Sequence, residues 1–440
     1  MRLNAISLFA LSAQGLPTLQ GRGLSETNTI LLPPTQDSFY TATRGFETAA
    51  PGQVLRIRRA PGNPTAVVAN SSAAYNIVYR TTDSRQRPSW AVTTLFVPIS
   101  RPGTSSQTPP KSLLSYQDAY DAVWLDASPS YTWHFGAAPA SVPRALGDGW
   151  HVNVPDYEGP LASFTAGAQA GHAVLDSIRA MLSAEELGLD SHTTRCAMWG
   201  YSGGGLATGW AAELQPRYAP EMRFVGASIG APPVDVLAVI NTVNRSPAAG
   251  LVPAGMLGIT NQHPEARAYL LKHLRPAGEF NRTIFLSVET MTWPQYFAVF
   301  QGQDVFRYFD IGAAVLRHDL IRDIAARDGL MGRRSMPKMP LFVYMAVQDD
   351  ISPIGLTDGV VERYCAGGAN VLFQRNTVGD HADEAVSGLP RAYAWLTAVL
   401  GGTYASEYNT DGCIVENVTI SGSRTSAPRV RFPMPMYLNR

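Results

Sequence analysis

From Asn76 onward, short β-branched or apolar runs alternate with segments of helical spacing. That alternation confines the chain to a few layered folds, because each strand must bury its faces against helices. Asn76–Thr82 and Ala91–Val97 read as an antiparallel hairpin across a polar turn containing Pro88, and Ser112–Tyr116 and Trp150–Val154 read as further strands. Phe164–Leu182 has apolar residues at helical spacing. Strand Arg195–Trp199, helix Gly203–Leu214, strands Phe224–Ile229, Leu341–Ala346 and Val371–Gln374, and helix Pro390–Leu400 complete the series. The expected fold class is therefore α/β, a doubly wound and mostly parallel sheet. With 440 residues, 45% of them hydrophobic, the chain can bury a sizeable core without staples or metals.

Between Asp235 and about Leu330 the alternation stops. Pro264–Leu274 and Ile311–Ala326 read as helices, with an aromatic-rich stretch from Trp293 to Phe309 between them. The expected organisation is a core of residues 16–234 and 331–440, interrupted by a helical insertion over 235–330. Residues 1–15 combine one positive charge, an apolar stretch and small residues near Ala13, the layout of a secretory signal peptide. Asn-x-Ser/Thr sequences at Asn70, Asn244, Asn281 and Asn417 are compatible with a glycosylated, extracellular protein. No apolar run is long enough to span a bilayer.

Charge and cysteines narrow the partners and the compartment. The formal charge is zero, with 35 Lys plus Arg against 35 Asp plus Glu, so nothing points to nucleic acid. Of three cysteines, Cys196 lies in an apolar run and reads as a buried thiol. Cys365 and Cys413 lie in polar, turn-rich surroundings and are the candidates for a bridge.

The sharpest local motif is Gly200-Tyr201-Ser202-Gly203-Gly204, set between an apolar strand and a helix. In such a turn a serine hydroxyl stands at a helix N-terminus, and side chains in place of the flanking glycines would collide. Gly226-Ala227-Ser228-Ile229-Gly230 matches the same pattern but runs into Pro232-Pro233, so Ser228 reads as structural. A serine becomes a nucleophile only with a base that a carboxylate orients. Asp349-Asp350 follow an apolar strand, where open α/β sheets place their sites, and His381 stands in a loop before the last helix. The other histidines lack metal-ligand spacing, and no phosphate-binding glycine loop follows a strand, so neither metal nor nucleotide cofactor is expected.

Several stretches together resemble the fungal secretory lipases, within the α/β-hydrolase superfamily. They are Ser115-Tyr116-Gln117-Asp118-Ala119, Val154-Pro155-Asp156-Tyr157-Glu158-Gly159, Ala170-Gly171-His172, the Ser202 motif, Asp349-Asp350-Ile351-Ser352-Pro353 and Cys365-Ala366-Gly367-Gly368-Ala369-Asn370. The resemblance implies a triad of Ser202, Asp349 and His381, with Asp118 and the backbone N–H of Gly203 as the oxyanion hole. It also implies a helical cap and a C-terminal flap beyond Glu416. At the acid the chain departs from the family, whose usual pair is Asp-Glu, so two identical side chains compete there. The implied activity is a secreted serine ester hydrolase, lipase-like, acting through an acyl-enzyme on a lipid or small-molecule ester. The lipase members of the family imply medium or long acyl chains, for which the Leu-, Met- and aromatic-rich insertion could line a pocket; the alternative is a deacetylase of a fungal secondary metabolite such as a trichothecene. An amidase or a non-catalytic binding protein on the same fold is the remaining competitor.

Overall fold

The computed structural model describes residues 30–100, 110–136 and 138–421. The leader expected at 1–15 lies outside them, as does most of the flap expected beyond Glu416. Ten strands form one sheet: β1 Val54–Arg59, β2 Ser71–Thr82, β3 Pro88–Pro98, β4 Ser112–Gln117, β5 His151–Pro155, β6 Arg195–Tyr201, β7 Phe224–Gly230, β8 Leu341–Ala346, β9 Val371–Asn376 and β10 Cys413–Val418. Their spatial order is β1-β2-β3-β5-β4-β6-β7-β8-β9-β10. Antiparallel pairing joins β1 through β3 to β5, and every pair from β5 to β10 is parallel. The parallel half needs crossover helices, which the chain supplies on both faces.

After β4 come the short helices α1 (Pro129–Thr132) and α2 (Ser141–Gly147), and after β5 the long helix α3 (Gly167–Ser183). Helix α4 (Gly203–Tyr218) follows β6. Past β8 lie α11 (Ile354–Ala366), α12 (His381–Ser387), α13 (Leu389–Gly401) and α14 (Tyr404–Glu407). Strand alternation sorts the core: Cys196 and Met198 of β6 face α3 and α4, whereas Ala197 and Trp199 face the side where Trp395 and Leu396 of α13 pack. Both faces are covered, so the central strands read as continuous apolar runs.

Between β7 and β8 the described residues form helices and isolated bridges: α5 (Val236–Val243), α6 (Leu251–Asn261), α7 (Pro264–His273), α8 (Arg282–Leu286), α9 (Trp293–Phe300) and α10 (Asp319–Asp328), with 3-10 turns. The ends of this segment meet, Asp235 pairing with Leu330 in an antiparallel bridge. The helix expected over Ile311–Ala326 is instead a 3-10 turn, Gly312–Arg317, followed by α10. The break falls at His318, whose extended backbone and ring, accepting from the Leu320 N–H, cap α10.

Cys365 at the end of α11 is joined to Cys413 at the start of β10, and Cys196 is free and buried. The bridge closes a 48-residue separation and anchors an edge strand whose middle residues are exposed. Replacing both cysteines with serine should lower stability by about 2–4 kcal/mol through the unfolded chain's regained freedom. Denaturant unfolding of the two proteins measures it, and an unchanged midpoint would refute it.

Candidate active site

Strand β6 ends at Tyr201 and α4 begins at Gly203, leaving Ser202 alone in the turn at φ 53° and ψ −122°. A methyl group on Gly200 would overlap the Gly204 carbonyl, and one on Gly204 the Gln117 carbonyl, so only glycine allows the turn to close this tightly. The Ser202 N–H donates to the Gly230 carbonyl at 2.9 Å, fixing the turn against the end of β7. Ser228, by contrast, lies buried inside strand β7 rather than in a turn between strand and helix, and its hydroxyl has no partner among the described residues.

Three side chains distant in sequence meet here. His381 Nε2 lies 2.9 Å from Ser202 Oγ, and His381 Nδ1 lies 2.7 Å from Asp349 Oδ2. Asp349 is placed by the turn after β8, where its Oδ1 accepts from the N–H groups of Ile351 (3.0 Å) and Ser352 (2.6 Å). With its acceptor carboxylate on the Nδ1 side, the imidazole carries its proton on Nδ1 and turns the Nε2 lone pair to the serine hydroxyl. Asp350 is exposed and reaches only the backbone, accepting from the His381 N–H at 3.3 Å. His381 itself opens helix α12 rather than standing in a loop, because Asp380 caps that helix through the Asp383 N–H.

The expectation for Asp118 needs correction. Its carboxylate accepts from Trp133 Nε1 at 2.8 Å and is absent from the cavity at Ser202. The carboxyl lying against Gly203 belongs to Asp121, whose backbone is left-handed (φ 43°) and whose Oδ1 has no hydrogen-bond partner among the described residues. Asp118-Ala119 and Asp121-Ala122 repeat the same dipeptide within one turn. Sequence offers no periodicity to choose between them, whereas the left-handed backbone at Asp121, which sets its carboxyl against Gly203, does. Tyr201 was also missed: its hydroxyl donates to the His381 carbonyl at 2.7 Å, tying the serine turn to the histidine helix.

Ser202, Gly203 and Asp121 open on a cavity of about 30 Å³ walled by Phe164, Thr165, Val236, Ile240 and Leu251 among others. A far roomier cleft, about 1370 Å³, lies between β1 and the C-terminal end of α3 and contains none of these groups. Among the described residues no group of three or more His, Cys, Asp and Glu side chains is placed to hold a metal.

The surroundings of Asp121 are dry and acidic. Burial, then the charge of Asp118, pushes its carboxyl up to about 7, while His381 acts in the opposite direction. Burial likewise raises Asp118 to about 6, Asp156 to about 7 and Glu158 well above the ordinary carboxylate range.

Fold and site together define an α/β-hydrolase, a carboxylic ester hydrolase. Residues 126–407 match the secretory lipase family, to which the chain belongs. It is 47% identical over 396 residues to the trichothecene C-3 esterase of Fusarium sporotrichioides, covering 88% of each chain. It is 41% identical over 400 residues to a probable trichothecene esterase of Stachybotrys chartarum, covering 88% of this chain and 81% of that one. Among solved structures, Candida antarctica lipase A in its closed state matches with a TM-score of 0.77 and 29% identity, over 91% of this chain and 93% of that one. No helix among the described residues is long and apolar enough to cross a membrane.

The four raised carboxyls have a consequence for stability. Unfolded carboxyls titrate near 4, so between about pH 4 and 7 the folded state holds protons the unfolded chain has released. Their contribution is complete below pH 4 and is lost as pH rises through 6 and 7. Below about pH 6.5 the buried His151 and His172, lowered to about 4, act in the opposite sense, so the comparison belongs above it: the melting temperature should be higher at pH 6.5 than at pH 8, and a calorimetric series rising over that interval would contradict this.

Proposed function

We propose that the chain is a secreted esterase that removes a short acyl group, acetyl in the first instance, from a bulky alcohol through an acyl-enzyme on Ser202. The carrying observation is the size of the cavity at that serine. About 30 Å³ is room for roughly two water molecules, whereas pockets for larger ligands run to about 300–1,000 Å³. An acetyl group fits; an octanoyl chain would bring about six further methylenes with nowhere to go. The two trichothecene esterases among the relatives support the same reading. Secretion is supported by the family, by the Cys365–Cys413 bridge and by the leader layout of residues 1–15.

In this mechanism His381 Nε2 takes the Ser202 proton as Oγ attacks the ester carbonyl, and Asp349 stabilises the imidazolium. The oxyanion forms beside the N–H of Gly203, at the start of α4, and beside Asp121, which donates while protonated. His381 returns its proton to the leaving alcohol. Water then repeats the sequence on the acyl-enzyme and releases the acid. Residues 235–330 serve as a cap that supplies the apolar wall of the acyl cavity, and the alcohol stays outside it.

Ser202→Ala should leave a folded protein with hydrolysis lowered by about four to six orders of magnitude; Ser228→Ala losing as much while Ser202→Ala does not would overturn the assignment. For esters of one alcohol, kcat/KM should fall from acetyl through butanoyl to octanoyl, and a steady rise would sink the short-acyl reading. Because Asp121 donates only while protonated, kcat/KM should decline as pH rises through about 7. Asp121→Asn keeps a donor at every pH and should lose that alkaline limb; a limb that survives the substitution would assign it elsewhere.

A further inference from the structure

Helix α5 carries Val236 and Ile240 one turn apart, so both side chains leave the same face. Each lines the cavity at Ser202, and each also lines a second cavity of about 20 Å³ buried among the helices between β7 and β8. Met256 of α6, Leu270 of α7 and Ile324 and Ala325 of α10 contribute to the wall of that second space. The one hydroxyl in its lining, Thr260, donates to the carbonyls of Met256 and Leu257, so the void presents only apolar surface. Two small cavities thus share a wall made by one helix face.

We propose that Ile240 is the specificity-determining residue for acyl length, blocking a path from the nucleophile into a small apolar void that would otherwise admit a slightly longer acyl chain such as butanoyl. This rests on the short-acyl reading above and deepens it. Val236 is the smaller side chain and is held at the junction of the helical segment, where its N–H donates to the Gly329 carbonyl at 3.0 Å. Ile240 lies within the helix, buried, and its side chain is the bulkier part of the partition. Truncating a buried aliphatic residue commonly leaves a void, because the surroundings collapse only in part. A void at residue 240 would join the two cavities into one apolar tunnel, leading from Ser202 past α5 toward α10.

The test is the ratio of kcat/KM for butanoyl over acetyl esters of one alcohol, measured for wild type, Ile240→Ala, Ile240→Val and the double variant Ile240→Ala with Ala325→Met. Each methylene that enters the tunnel should gain roughly fourfold. The ratio should rise on the order of tenfold in Ile240→Ala and by a smaller factor in Ile240→Val. It should fall back in the double variant, whose Met side chain refills the second cavity. A folded Ile240→Ala protein with an unchanged ratio overturns the partition; if that protein does not fold, an unchanged ratio in Ile240→Val does so. Failure of the underlying reading looks different, since a wild type that already favours butanoyl would sink the short-acyl assignment before any variant is compared.

Discussion

Ser202 occupies a backbone region that costs an L-residue on the order of 1–3 kcal/mol, and everything chemical about the molecule depends on that turn persisting. It persists because the sheet surrounds it. The ends of β4 and β7 press their carbonyls against Gly204 and Gly205, leaving no room for the chain to relax. Helix α4 can then start only at Gly203, with its free N–H groups turned toward the serine. Tyr201 extends the restraint outward, since a hydrogen bond from the strand end to the His381 carbonyl fixes His381 relative to Ser202. Distances of 2.7 and 2.9 Å along the Asp349–His381–Ser202 line follow from a strained turn clamped on three sides.

Much of the fold was legible because its central strands obey one rule: buried on both faces, they are apolar throughout and bounded by turns. β6, β7 and β8 were found that way, and the β2–β3 hairpin by its β-branched content. The edges escaped. Val-Leu-Arg-Ile-Arg-Arg in β1 is half-exposed and highly charged, and Cys413–Val418 in β10 is largely exposed, so neither carries an apolar signature. Pairing with a neighbour, which sequence does not display, makes them strands. The boundary at His318 was missed for a related reason, because the apolar spacing continues through it while a backbone cap interrupts the helix.

In the site, the residues that lie at strand ends could be read and the one at a chain reversal could not. Ser202, Asp349 and His381 each follow a recognisable strand, so order along the chain brings them to one edge of the sheet. Asp118 also follows a strand, β4, and for that reason drew the assignment. The chain continues three residues further before turning into the cavity, and it turns at Asp121 with a left-handed backbone that aspartate tolerates better than most side chains. No periodicity or composition announces such a turn. What marks Asp121 is a buried carboxyl oxygen without a partner among the described residues, a property of the folded chain alone.

That burial links substrate size to chemistry. Asp121 lines the cavity of about 30 Å³ beside Ser202, and its burial is the first cause of its raised pKa. A wider, wetter cavity would admit larger acyl groups but would hydrate the carboxyl and return it toward its ordinary ionised state, removing a donor from the place where negative charge develops. Helix α5 lies at this junction, with Val236, Val239 and Ile240 all turned to the cavity. On the proposed reading, small acyl capacity and a protonated partner for the oxyanion would be two effects of one apolar wall. A substrate whose bulk lies on the alcohol side keeps both, because its acyl group occupies the dry space without opening it.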